Sequence, residues 1–132
     1  MTYSENKFRE YLKKIFPGAY IKKVPDKKNM ASGQLIGLPD YMIITNGCTY
    51  WFEVKEIKSK KYAPHTFNLN EISDTQYTEF NAMHKAGAKI FIAIYLNKEL
   101  YVVSYDYIQF SKWISGEKSI HKDTLNKWGV KW

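Results

Sequence analysis

The dipeptide Asn46-Gly47, with apolar runs on both sides, restricts the fold more than any other feature of this chain. Asn-Gly between strand-forming segments is the strongest short-range signal for a two-residue type I′ turn, because both central positions need positive φ. Residues 37–55, Gly-Leu-Pro-Asp-Tyr-Met-Ile-Ile-Thr-Asn-Gly-Cys-Thr-Tyr-Trp-Phe-Glu-Val-Lys, therefore read as a tight hairpin. With a two-residue loop, Thr45 faces Cys48, and counting outward brings Asp40 opposite Glu53. Residues facing each other on one side of a ladder hold their Cβ atoms about 4.5–5.5 Å apart. Lys55 shares the face of Glu53, since strand side chains alternate. Two carboxylates and an ammonium are thus expected to converge.

Like charges placed opposite each other destabilise a sheet. A divalent cation between the carboxylates removes the repulsion, and oxygen donors suit Mg²⁺ or Mn²⁺. The bland alternative is a polar hairpin face on which Lys55 neutralises one carboxylate. The neighbours Met42, Ile43, Ile44, Tyr50, Trp51 and Phe52 are apolar, so the charges interrupt what should be core, and this favours the metal site. The reading depends on register, which a longer turn would shift.

The 132 residues suit a single domain spanning 1–132 that buries a core of its own. A net charge of +7 favours an anionic partner, nucleic acid ahead of a membrane. Arg9 is the only arginine; the remaining cations are lysines, which suit phosphate contact better than bidentate reading of guanine edges. Cys48 is the only cysteine, which excludes a disulfide framework and a cysteine-based zinc site. The first residues, with Glu5, Lys7, Arg9 and Glu10, lack the apolar core of a signal peptide. The apolar run Ile90 to Leu96 is too short to span a bilayer. A reducing, cytoplasmic setting is expected, with no membrane partner.

Along the chain, residues 3–16 carry Phe8, Tyr11, Leu12, Ile15 and Phe16 at helical spacing, ended by Pro17-Gly18. Glu5 lies on the stripe of Phe8, Leu12 and Phe16. It either reaches the Asp40/Glu53 site or closes a capping box with Thr2. Ala19 to Val24 reads as a short strand and Pro25 to Gly37 as a loop. Lys22, Lys23, Lys27 and Lys28 make this region basic, and Lys58, Lys60 and Lys61 form a second basic loop after the hairpin. Both are candidate phosphate contacts, whose binding should weaken steeply with salt; a solvated charged loop is the alternative. Tyr62, His65 and Phe67 interleave with the second loop and suit either base stacking or ordinary packing.

Residues 70–86 read as a second helix, starting properly at Asp74 after the capping-box sequence Ser73-Asp-Thr-Gln76. Gln76 is either the capping glutamine or a polar group aimed into the site. Lys89 to Leu96 suits a central strand buried on both faces, and Leu100 to Tyr105 returns beside it. A short helix is expected near Tyr107–Ile114 and an amphipathic piece from Ser119 to Trp128. Trp113, Trp128 and Trp132 suit core or interface positions. The order calls for a mixed sheet flanked by helices.

Pro39-Asp40, a spacer and Glu53-Val54-Lys55 resemble the PD-(D/E)xK nuclease core, and the αβββαβ order agrees with that superfamily. Within it the chain most resembles the RecU Holliday junction resolvases, from about Asp40 to the C-terminus. The resemblance runs through Phe52-Glu-Val-Lys-Glu-Ile-Lys58, Phe67 with Leu69, Gln76, Ile90-Phe-Ile-Ala-Ile94, Leu100-Tyr-Val-Val103, Lys118-Ser-Ile-His-Lys-Asp123 and Trp128-Gly129. The N-terminal part matches only loosely, with Glu5 in the place of a helix-borne acidic residue. The chain is also shorter than cellular members, as a phage-encoded version in a bacterial host would be.

The resemblance implies an α/β, restriction-endonuclease-like fold and a homodimer that cuts two strands of a four-way DNA junction with Mg²⁺ or Mn²⁺. It implies that Asp40, Glu53 and the Val54 carbonyl hold the metal, with Glu5 contributing directly or through water. It implies further that Lys55 orients the attacking water and that Gln76 positions the catalytic groups. Gly37-Leu-Pro-Asp40 also resembles virus-type replication-repair nucleases of the same superfamily. A nuclease acting on flaps, ends or linear duplex is therefore one alternative, and a non-catalytic basic DNA-binding module is another.

Overall fold

The structure is a computed structural model that describes residues 3–25, 37–59 and 61–132. Thr2, Lys27, Lys28 and Lys60, all named above, lie outside the described residues, as does most of the 25–37 loop. The chain runs α1 (Tyr3–Ile15), β1 (Tyr20–Lys23), β2 (Tyr41–Thr45), β3 (Cys48–Ile57), β4 (Thr66–Asn68), a 3₁₀ turn (Leu69–Glu71) and α2 (Asp74–Lys85). It continues through β5 (Lys89–Leu96), β6 (Glu99–Ser104), α3 (Tyr105–Gln109), a π turn (Phe110–Ile114), β7 (Ser119–His121) and α4 (Lys122–Lys127).

The hairpin forms as its turn sequence dictates. Asn46 (φ 50°) and Gly47 (φ 76°) both adopt the left-handed conformation that a type I′ turn requires. Thr45 pairs with Cys48, and the ladder runs out to Tyr41 opposite Phe52. The main sheet has the order β1-β2-β3-β5-β6. Only β3 and β5 run parallel, Glu53 beside Ile92 and Lys55 beside Ile94, and α2 lies in the crossover between them. β5 is buried on both faces, with Ile92, Ala93 and Ile94 fully covered, as its unbroken apolar run requires.

Alternation along β3 divides the interior into two layers. Tyr50, Phe52 and Val54 pack on the α1 side with Phe8, Leu12, Tyr41 and Ile43. Trp51 and Ile57 pack on the other side, in the cluster that holds Tyr77, Phe80, Ile92 and Ile94. Glu53 and Lys55 share the parity of Trp51 and Ile57, so the pleat directs them toward α2. Helices on both faces of a five-stranded mixed sheet give the expected αβββαβ order, with β4 added. Among the described residues, no helix is long and apolar enough to cross a membrane.

The C-terminal third departs from expectation. The helix expected near Tyr107 starts at Tyr105, capped by Ser104, and its second half is a π turn. The expected amphipathic piece 119–128 is a strand followed by a short helix. β7 pairs with β4, joining Thr66 to His121, Phe67 to Ile120 and Asn68 to Ser119. Backbone bonds extend this small sheet: Leu69 N–H donates to the Lys118 carbonyl at 2.9 Å and Lys122 N–H to the His65 carbonyl at 2.7 Å. The Lys118–Asp123 stretch thus holds the segment between the hairpin and α2 against the molecule. Phe67 is fully buried, which settles it as packing and not as a stacking platform.

Candidate active site

Asp40 stands one residue before β2, and its backbone and side chain are both held. Its carbonyl accepts from Val24 N–H at 2.7 Å. Its Oδ2 accepts from Val54 N–H at 2.9 Å, and one step beyond the Tyr41–Phe52 pair the hairpin register sets Asp40 opposite Glu53. The approach to Asp40 is shaped by Gly37, at φ +87°, where an added Cβ would come within 3.1 Å of the Thr75 carbonyl and of Glu79 Cβ. Only glycine both adopts that φ without strain and leaves this room between the hairpin and α2.

Glu53 is 3% exposed. Its Oε2 accepts from Gln76 Nε2 at 2.8 Å and lies 3.3 Å from Lys55 Nζ. Its Oε1 is buried and finds no hydrogen-bond partner. The carboxyl is pushed up to about 7, first by burial and then by the charge of Asp40, against the opposing pull of Lys55 and Gln76. A group so displaced, paired with a cation and within the field of a second carboxylate, has the character of a functional site.

Gln76 serves both of the roles that the sequence left open. Ser73 Oγ accepts from Gln76 N–H at 3.1 Å, and Gln76 Oε1 accepts from Ser73 N–H at 3.0 Å, completing the capping box at the start of α2. The same Oε1 accepts from Lys55 Nζ at 2.9 Å. One side chain therefore ties the helix cap to both Glu53 and Lys55.

Glu5 sits in the first turn of α1, on the layer opposite Glu53. It acts electrostatically on Tyr41, whose hydroxyl is raised chiefly by burial, with Lys23 and Arg9 opposing and Glu5 adding to the rise. Its charge is therefore felt at Tyr41, the residue that follows Asp40. The structure adds two groups that the sequence reading had assigned elsewhere or passed over. Lys23 lies on β1 with Nζ 3.8 Å from Asp40 Oδ1 and 5.0 Å from the Tyr41 ring, so it joins the site and is not a loop cation. Its signal was the β1–β2 register, which sets Lys23 opposite Tyr41 but had no turn sequence to announce it. Ser73 was visible as a helix cap, yet nothing in the sequence tied that cap to Glu53.

Of the other lysines, Lys22 and Lys61 are exposed, and Lys58 pairs with Glu56 at 2.8 Å. His65 stacks on His121, ring centroids 6.3 Å apart, across the small sheet. Trp132 packs into the aromatic group of Phe16, Tyr50, Phe52 and Phe91, whereas Trp113 lies edge-on to Tyr77 and stays 49% exposed.

The donors fit a hard divalent cation. Glu53 Oε1 is a buried oxygen lacking a partner, and Asp40, just before β2, is bonded to the neighbouring Val54 N–H. Among the described residues no three His, Cys, Asp or Glu side chains converge. Mg²⁺ is commonly held by one or two carboxylates, with waters and substrate phosphates completing its shell, so a pair of carboxylates suffices.

The sequence model of the family described as recombination protein U (RecU) matches residues 2–131. The chain belongs to the RecU family. The RecU match takes in α1 and β1 as well, beyond the Asp40-to-C-terminus span on which the motif resemblance rests. A search among curated proteins finds no match. Among solved structures, the chain is similar to Hjc of Archaeoglobus fulgidus, a Holliday junction resolvase from an archaeal hyperthermophile. The TM-score is 0.61 at 16% identity, over 98% of this chain and 93% of that one. At that identity the likeness establishes the shared fold, a mixed sheet flanked by helices.

Proposed function

We propose that this chain is a metal-dependent endonuclease that resolves Holliday junctions by phosphodiester hydrolysis, working as a homodimer. The observation that carries the reading is Glu53. Its buried carboxylate has one oxygen bound to Lys55 and Gln76 and the other without a partner, and it feels the charge of Asp40. RecU membership and the fold shared with an archaeal resolvase support the junction as substrate.

Asp40, Glu53 and the Val54 carbonyl would hold Mg²⁺ or Mn²⁺, with Glu5 contributing through water from the α1 side. When bound, the cation supplies an activated water and polarises the scissile phosphate. Lys55 places its ammonium beside the carboxylate pair, where it stabilises charge developing on the phosphoryl oxygens. Gln76 keeps Lys55 and Glu53 in register with each other. Val54 N–H holds Asp40 Oδ2, while Oδ1 lies 3.8 Å from Lys23 Nζ. Lys22, Lys27, Lys28, Lys58, Lys60 and Lys61 supply phosphate contacts on either side of the hairpin, and Lys23 balances the charge of Asp40.

The test compares a labelled four-way junction, a matched linear duplex and a flap, each in Mg²⁺ or Mn²⁺. Paired symmetrical nicks confined to the junction are expected. Equal cutting of all three substrates would remove the junction assignment and keep the nuclease. No cutting by the folded protein would leave a basic DNA-binding module.

A further inference from the structure

We propose that the backbone N–H of Ser73 is a positioning group for the active site, acting through the side-chain amide of Gln76. The inference rests on the nuclease reading above and extends it to a helix cap that has no contact with the reacting atoms.

Two groups that can only donate, Ser73 N–H and Lys55 Nζ, meet the same oxygen of Gln76, at 3.0 and 2.9 Å. The atom between them must therefore be the amide oxygen, and Nε2 must face Glu53 Oε2, which it does at 2.8 Å. The amide polarity at the site follows from the cap. Glu53 needs that polarity, because a donor at Oε2 leaves Oε1 as its only unpaired oxygen. Turned over, the amide would place its oxygen against a carboxylate and its NH₂ against an ammonium.

Lys55 alone holds this orientation poorly. Were Nζ to turn to a scissile phosphate, Ser73 N–H would be the donor left on Gln76 Oε1. A backbone N–H at the start of a helix is fixed by the chain and has no intrahelical acceptor, so it is free for this use and cannot swing away.

Ser73 permits a clean separation of its two bonds. Ser73→Ala removes the Oγ cap to Gln76 N–H and keeps the backbone donor. Ser73→Pro removes both. Proline fits the site: Ser73 has φ −70°, and Ile72 before it is extended at φ −87°, ψ 119°. Both variants lose the side-chain cap, so their shared loss of stability cancels in the comparison.

The experiment measures kcat and KM for junction cleavage by wild type, Ser73→Ala and Ser73→Pro, and records the Gln76 side-chain NH₂ resonances of each metal-free protein by NMR. Ser73→Ala keeps the backbone donor and is the reference against which Ser73→Pro is read. Ser73→Pro should fall roughly tenfold below it with KM little changed, the pattern of an interaction that matters at the chemical step. The Gln76 NH₂ signals should keep their positions in Ser73→Ala and shift in Ser73→Pro. Equal kcat in the two variants would reduce Ser73 to a helix cap and overturn the proposal. If wild type cuts no DNA the nuclease reading fails separately, and the NMR comparison still decides: unshifted Gln76 signals in Ser73→Pro overturn the positioning role.

Discussion

Glu53 is the residue at which the physical conflict is concentrated. A carboxylate this buried should be avoided or fully bonded, yet one oxygen is bonded twice and the other not at all. The conflict has a pH signature. Glu53 is raised from 4.5 to about 7 by burial and by Asp40, so it binds its proton more tightly folded than unfolded. Its contribution to stability is therefore fully present below the unfolded value and is lost as pH rises through the folded one. Thermal unfolding of the metal-free protein should move to lower temperature between about pH 5 and pH 8, and Glu53→Gln should flatten the dependence. A wild-type midpoint that stays level or rises over that range would contradict this account of Glu53. The same proton must leave before a cation enters, so Mn²⁺ should bind more tightly above pH 7 than below it.

The hairpin was the most legible element, and the reason is local. Asn46-Gly47 states its turn type outright, and a turn of known length fixes every pair out to Asp40 and Glu53. The helices at 3–16 and 70–86 and the strand Lys89–Leu96 were legible from periodicity and length. β4 and β7 were not, because strands of three residues carry no pattern of their own and exist only through each other. The π turn was also hidden, since Phe110–Ile114 has ordinary helical composition. Of the site, Asp40, Glu53, Lys55 and Gln76 were named from register and motif. The contact of Lys23 with Asp40 depends on how β1 sits beside the hairpin, which one sequence does not state. The approach of Gly37 to α2 is close. Gly37→Ala puts a Cβ 3.1 Å from Thr75 O and Glu79 Cβ at φ +87°. It should lower stability by about 1–3 kcal/mol, read by thermal or denaturant unfolding. An alanine variant as stable as wild type would show that α2 does not sit against this turn.

For the whole molecule, the sheet works as a partition with a working edge. The α1 layer holds an aromatic core, and the α2 layer holds core over most of its area and the charged group at one end. The small β4–β7 sheet fastens the chain between that edge and α2, so the Lys118–Asp123 stretch matters to the site without entering it. With a net charge of +7 and lysine in place of nearly every arginine, the surface suits holding a DNA backbone over reading a base sequence. The proposed nuclease has its chemistry at the Asp40/Glu53 pair. The most direct measurement is cleavage of a labelled four-way junction in Mg²⁺ by wild type and by Asp40→Asn, with junction binding measured alongside. Wild type should leave paired symmetrical nicks. Asp40→Asn should bind the junction at least as tightly and leave it uncut. Cleavage by Asp40→Asn at a rate near wild type would contradict the central claim and place the chemistry elsewhere on the molecule.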